Sequence, residues 1–254
     1  MSLPGPRFMM GTPPGQPHHT TERRINDLRR RLVREATTAV GMLEQALAAL
    51  WALDADKAKG VRISDDNVDQ EEVDIERECY ELLALHHPFA HDFRVVTFIL
   101  KVNADIERVA DHACSVAKAV MKIAKLREGK PMPKWPTSLT DLGHRVPQMC
   151  HEILRAVLDE DAASAKKGAS GDEVIDDLEK RLFGEITAMV HGEEATEEAV
   201  AIGMLTYRVG RELERVGDLM KDVAEEVVYL ATGSIVRHEK RGGQRGAPPS
   251  EPRP

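Results

Sequence analysis

The sequence predicts an all-α fold of two tandem three-helix bundles, six helices in all, and three observations carry that prediction. Residues match one another at a constant offset of 107 through much of the chain. Apolar residues recur in steps of three and four along stretches far longer than a strand. Aromatic residues are only 4% of a chain dominated by Ala, Leu, Val, Glu, Arg and Asp. That balance favours helix over sheet, because strands draw on aromatic and β-branched side chains.

The elements follow in order. Residues 1–20 are rich in Pro, Gly and His and lack an apolar run, so they read as a disordered extension and not as a signal peptide. The first helix spans about Thr21 to Leu53, with Ile25, Leu28, Leu32, Ala36, Ala39, Leu43, Ala46, Leu50 and Leu53 on one stripe. The second is expected from about Asp65 to His86, where Pro88 breaks it. The third places Val95, Ile99, Val102, Ile106, Val109, Ala113, Val116, Val120 and Ile123 on a seam. Steps alternating between four and three imply long helices crossing at shallow angles. The run Gly129-Lys-Pro-Met-Pro-Lys-Trp-Pro136 reads as a breaker, so residues 129–137 form a linker between a first unit (21–128) and a second (138–238).

The second unit repeats the pattern. Ser138 followed by Asp141 is a candidate N-terminal cap for its first helix. Its last helix carries the seam Val209, Leu213, Val216, Met220, Val223, Val227 and Leu230. The offset of 107 pairs Asp65 with Asp172, Asp69 with Asp176, Glu72 with Glu179, Glu107 with Glu214, Asp111 with Asp218 and Val120 with Val227, without a gap. Residues 239–254 read as a disordered tail.

Charge and composition exclude several classes. The formal charge is -8, and with no basic cluster expected in the folded part, gripping a phosphate backbone is a poor fit. Cys79, Cys114 and Cys150 are odd in number and widely spaced, which suits buried apolar residues better than disulfides or a thiolate metal site. No apolar run is long enough to cross a membrane, so the chain reads as cytoplasmic.

The chemistry lies in acids. Glu107 and Asp111, and their counterparts Glu214 and Asp218, stand four residues apart on the third helix of each unit, which puts each pair on one face. The second helices supply Asp65 with Asp69 and Asp172 with Asp176 at the same spacing. Acids are 43 of 254 residues, so one such pair alone says nothing. Folding the second and third helices back on each other, however, puts Asp65 beside Asp111 and Asp69 beside Glu107, and in the second unit Asp172 beside Asp218 and Asp176 beside Glu214. Four carboxylates on two adjacent rungs repel unless protonated or neutralised. A bound multivalent cation is the economical answer, and oxygen-only donors suit hard ions such as Mg, Mn or Fe. Glu107 and Asp111 lie off the apolar seam, so the sites are expected on the outer flank, where Ala110 and Gly217 leave room. Asp105, Glu212, Glu72 and Glu179 are second-line ligand candidates. His112 follows Asp111 but becomes Leu219 in the second unit, and reads as a partly exposed surface histidine.

These residues resemble a known family. Asp105-Ile-Glu-Arg-Val-Ala-Asp-His-Ala113 is similar to the first signature of the PhoU family. Glu212-Leu-Glu-Arg-Val-Gly-Asp218, continuing through Ala224 to Gly233 and on to His238, is similar to its second. Leu82 to Arg94 resembles the family's turn between helices two and three, and the likeness runs from about Thr21 to His238. The resemblance implies a homodimeric cytoplasmic negative regulator of the phosphate-starvation response. Its implied partners are the ATPase subunit of the phosphate ABC transporter and a sensor histidine kinase, and it implies multinuclear metal clusters on the Glu/Asp-x-x-x-Asp motifs. The sequence departs from the family pattern at Ser115 and Asp222, where an Asn is usual, and at Leu219-Met220 in place of His-Ala.

Two other readings compete. A ferritin-like di-metal enzyme or metal-storage bundle would want Glu-x-x-His on inward faces; no Glu-x-x-His occurs in the sequence. Nucleophilic catalysis has no activated Ser, Cys or Lys motif, so the chain is not expected to be an enzyme. A purely structural helical module, its acids merely solvated, is the remaining alternative.

Overall fold

The computed structural model describes residues 17–191 and 196–236, with side chains from residue 21. The described residues form seven α-helices and no strand. The first helix, α1 (Pro17–Ala52), begins four residues before the predicted start, inside the expected N-terminal extension. The rest of that extension and the predicted tail 239–254 lie outside the described residues. The predicted stripe from Ile25 to Leu50 is buried throughout, and Leu53 packs partly buried against the same core.

The chain reverses at Leu53, which takes a left-handed φ of 50°. The Asp54 carboxylate then accepts the Lys57 amide at 2.8 Å and caps α2 (Ala55–His86). The second helix therefore starts ten residues before the expected Asp65, because this cap, with Ala58 and Val61 buried behind it, extends the helix by almost three turns. It ends where His87 adopts a left-handed conformation ahead of Pro88. α3 (His91–Leu126) follows, and all nine of its predicted seam residues are buried. Burying a side chain of Val, Leu or Ile size stabilises by about 1.5–3 kcal/mol, so such a seam is ample reason for a long helix to form.

The predicted linker runs over an irregular stretch, with Gly129 at φ 71° and Trp135 edge-on to Trp51 at 6.1 Å. Thr137 belongs instead to α4 (Thr137–Asp159). Ser138 does not cap that helix. Its hydroxyl donates to Glu185 at 2.6 Å and its amide donates to the same carboxylate, so the acid that satisfies the helix start comes from another helix, while Asp141 stays exposed.

In the second unit the expected second helix is split into α5 (Ala162–Ala169) and α6 (Asp172–Val190). α5 starts as α2 does: Asp161, the counterpart of Asp54, accepts the Ala163 and Ser164 amides, and the preceding Glu160 has a φ of 49°. Gly168 and Gly171 then weaken the helix where the first unit carries Val61 and Ser64, and Ser170 donates its hydroxyl back to the Lys167 carbonyl. Six helical arms thus become seven segments. α7 (Glu197–Thr232) is capped by Thr196 and stopped by Gly233 at φ 74°, and its predicted seam is buried from Val209 to Leu230.

The two units share one core. α3 packs on α7 and α1 packs on α4. Lys101 pairs with Glu226 at 3.0 Å and His112 with Glu212 at 2.7 Å, so α3 and α7 run antiparallel. Glu44 meets His151, its own counterpart in the repeat, at 2.8 Å, which puts a pseudo-twofold axis between α1 and α4. The expectation of no basic cluster is corrected here: Arg23, Arg24, Arg29, Arg30, Arg31 and Arg34 all lie on α1. Net charge averages over the chain and hides them, and acids of α2 take up two of the six, Arg24 pairing with Glu78 and Glu81, Arg31 with Glu71 and Glu78. Arg29, Arg30 and Arg34 line a groove of about 720 Å³ floored by Phe98, Val157 and Leu158.

Candidate metal centre

Each second and third helix forms a hairpin, and the paired acids lie along it. In the second unit Asp172, Asp176 and Asp218 converge, with oxygens from all three within 4.8 Å of one another. This is the one such set among the described residues. Glu214, the fourth predicted member, stays outside it and lies 3.3 Å from Arg211. In the first unit Asp69 senses the charges of Asp65 and Asp111, and Glu107 senses those of Asp111 and Asp69, so the four lie near enough to repel one another without closing to the same distance.

Burial shapes the electrostatics. Partial loss of hydration around the carboxyl first, then the charges of neighbouring carboxylates, holds Asp69, Glu107 and Asp218 above the usual carboxylate range. Asp176 is pushed up by burial and by Asp172, against the opposing pull of Lys180 and Lys221. Glu214 is raised by burial, with Arg211 opposing. The outer-flank expectation fits Asp69, Asp111 and Asp218, which are exposed, but not Asp172, which is 2% exposed. The break before α6 puts Asp172 at that helix's first turn, facing the small Gly217 of α7; a Cβ there would touch Ile175 and approach Asp172 Oδ1.

Oxygen atoms of three predicted ligands are buried without a hydrogen-bond partner: Asp65 Oδ1, Asp172 Oδ1 and Glu214 Oε2. Unmatched acceptors of this kind, in an oxygen-only donor set, fit a hard cation. The units differ in what else reaches the site. In the second, the Lys221 ammonium donates to Asp172 Oδ2 and is itself raised by that bond. Its counterpart in the first is Cys114, beside Asp65, whose thiol is pushed up to about 12 chiefly by burial. The second unit thus carries an internal cation where the first carries a neutral thiol.

The second-line candidates are mostly committed elsewhere. Glu212 faces the other unit, held by His112 and by Arg208 at 3.5 Å; these charges outweigh its burial and lower its pKa. His112 is therefore an inter-unit contact, half-buried, and not a loose surface group. Glu179 accepts the Tyr207 hydroxyl at 2.6 Å. Asp105 lies 3.7 Å from Arg108. Glu72 lines the first site, raised by burial and by Glu76 and Asp69. All three cysteines are buried and free. Lys221 leaves no trace among the matched acids of the repeats; its signal is a mismatch, Lys221 against Cys114.

The comparisons with known proteins agree with this architecture. A family model described as the PhoU domain matches residues 22–120 and again residues 139–227, once in each unit. A phosphate-specific transport system accessory protein PhoU homolog of Deinococcus radiodurans is 35% identical over 198 residues, 78% of this chain and 89% of that protein. The protein of the same description from Pseudomonas aeruginosa is 31% identical, covering 87% of this chain and 90% of its own. The crystal structure of the phosphate transport system regulatory protein PhoU from Streptococcus pneumoniae superposes with a TM-score of 0.75 at 28% identity, over 85% of this chain and 99% of that one.

Proposed function

We infer function from one premise: the chain belongs to the PhoU domain family. On that premise the protein is an accessory regulator of a phosphate-specific transport system. More finely, it is a negative regulator of phosphate uptake and of the phosphate-starvation response. It acts in the cytoplasm as a homodimeric, non-enzymatic adaptor between the ATPase subunit of the phosphate ABC transporter and a sensor histidine kinase. The observation that carries this reading is the match of the PhoU domain to both units, together with relatives described as accessory and regulatory proteins of phosphate transport. Among the described residues no helix is long and apolar enough to cross a membrane, which suits a partner of a membrane complex better than a part of its channel.

The acidic hairpins are the metal-binding part of the proposal. Asp65, Asp69, Glu107 and Asp111 would hold ions in the first unit, and Asp172, Asp176, Glu214 and Asp218 in the second. When bound, a hard cation (Fe, Mn or Mg) supplies the positive charge that lets these carboxylates stay ionised side by side. The chain's own residues do the rest. Lys221 and Arg211 already neutralise part of the second site, and the 36-residue helices α3 and α7 carry both sites on rigid elements. The pairs His112–Glu212 and Lys101–Glu226 tie those helices together, so strain at one acidic face reaches the other unit through packed helix.

Deletion of the gene tests the regulatory reading. Phosphate-starvation genes should be derepressed in phosphate-replete cells and silenced again by the intact gene. An unchanged response would overturn the reading.

A further inference from the structure

We propose that the first unit contains an inner cation-binding position that the second unit lacks, formed by the Glu35 carboxylate and the Asn103 amide oxygen beside Glu72 and Glu107, and that it takes a hard divalent cation such as Mn²⁺ or Mg²⁺. Glu35 is on α1, well away in sequence from the acidic hairpin. It is 3% exposed, and neither of its carboxylate oxygens has a hydrogen-bond partner. Asn103 is on α3, one turn before Glu107, and is 1% exposed. Its amide nitrogen donates to the Glu72 carbonyl at 2.9 Å, which fixes the side chain against α2, and its Oδ1 is left without a partner. Three buried acceptor oxygens from two helices are thus unmatched beside the acids of a third.

The charges around Glu35 make this costly as it stands. It feels Glu71, Glu72 and Glu107, and the nearby cation, Arg31, is engaged by Glu71 at 2.7 Å and Glu78 at 2.9 Å. Burial, then these acids, pushes the Glu35 carboxyl up to about 8. A neutral carboxylic acid still needs an acceptor for its proton, and an unmatched buried polar group is rare in folded proteins. A small cation satisfies the two carboxylate oxygens and the amide oxygen together, and oxygen donors of this kind are what hard divalent ions prefer.

The repeat supplies a control within the same chain. The counterpart of Glu35 is Leu142, and the counterpart of Asn103 is Gly210. In the second unit Leu182 fills this place: a Cβ on Gly210 would lie 2.1 Å from Leu182 Cδ2 and 3.6 Å from Leu142 Cδ1. One unit has an apolar plug where the other has three orphaned oxygens. Both members of the pair changed together, as expected if the polar pair has one task.

The inner position rests on the reading that the first hairpin binds metal, and the test separates the two. Mn²⁺ binding is measured by equilibrium dialysis and metal analysis on the full chain, for the unchanged protein, Glu35→Gln, Glu35→Leu and Asp65→Asn/Asp69→Asn. Circular dichroism confirms that each remains helical. The expected result is one fewer Mn²⁺ bound, or at least a tenfold loss in one class of site, for both Glu35 variants, while ions on the outer acids remain. Thermal unfolding adds a second readout: Mn²⁺ should raise Tm more in the unchanged protein than in Glu35→Leu, and in EDTA the order of stability should reverse. Equal stoichiometry and affinity in Glu35→Gln, with loss in Asp65→Asn/Asp69→Asn, would overturn the inner position and leave the outer one standing. No Mn²⁺ or Mg²⁺ bound by the unchanged protein would overturn both.

Discussion

Lys221→Met tests whether the second acidic site is held together by a built-in cation. The substitution keeps the aliphatic stem and removes the ammonium. Asp172 is 2% exposed, its Oδ1 has no partner, and its Oδ2 is bonded by Lys221, with Asp176 and Asp218 oxygens within 4.8 Å. Removing one partner of a fully buried ion pair costs about 3–5 kcal/mol. The Lys221 side chain is 42% exposed, so solvent screens part of this, and about 1–3 kcal/mol is the reasonable expectation. At about 2–4 °C per kcal/mol for a chain of this size, Tm should fall by roughly 2–12 °C in EDTA. The Lys221 pKa is raised in the folded state, so its contribution is fully present below the unfolded value of 10.5 and is lost as pH rises through the folded one. The difference between the two proteins should therefore hold at neutral pH and vanish in strong alkali. Differential scanning calorimetry, first in EDTA and then with Mn²⁺, reads both parts. The variant should lose stability without metal and recover it with Mn²⁺, because an added cation takes over the role of the ammonium. A variant that unfolds at the same temperature as the unchanged protein in EDTA would show that Lys221 does not hold Asp172, and the contrast between the units would fall with it.

In EDTA, a Glu35 carboxyl raised from 4.5 to about 8 makes stability fall as pH rises across that window, by up to about 5 kcal/mol, and urea unfolding of Glu35→Gln should show a flatter profile; parallel profiles would refute the burial argument. Gly210→Ala puts a methyl group 2.1 Å from buried Leu182 Cδ2 and should cost about 1–3 kcal/mol by overpacking in chemical denaturation, whereas no loss would mean that α6 and α7 are less tightly apposed. Changing Glu107, Asp111, Glu214 and Asp218 together to Ala should strip metal from the purified protein, and equal metal content in both proteins would end the metal-site proposal.

Much of the fold was legible because it rests on periodicity. The seams of α3 and α7 follow from steps of three and four, and every residue named on them is buried. The hairpin also follows from sequence, since Pro88 fixes the reversal and the register then places Asp69 within reach of Asp111 and Glu107 near Asp69. What was not legible depends on short polar signals or on partners distant in sequence. Asp54 as a cap was available to a local reading and extends α2 by ten residues. No local reading could show that the start of α4 is satisfied by Glu185, because the alternative, Ser138 as its own cap, has the better local pattern. Asp172 was expected on the flank because the acids of the third helices lie off the apolar seam; the break at Gly168 and Gly171 gives α6 a new first turn, and Asp172 there is buried.

The departures from the repeat tell more about the sites than the matches do. Matched acids give each hairpin the same donors, and on that basis the two units should bind alike. Three mismatches act in the other direction, and all touch the acidic hairpin from buried or half-buried positions: Glu35 against Leu142, Asn103 against Gly210, and Cys114 against Lys221. The first two add unmatched oxygens to the first unit, while the third adds a positive charge to the second. Each change makes the first unit more demanding of an external cation and the second less so. An ammonium already seated on Asp172 must be displaced before an ion can take both of that carboxylate's oxygens, whereas the cation that acts on Glu35, Arg31, is held by two other acids. Metal should therefore load the first unit before the second, and stepwise titration with Mn²⁺ should show two classes of site, of which the weaker tightens when Lys221 is replaced by Met while the difference made by Glu35 and Asn103 remains.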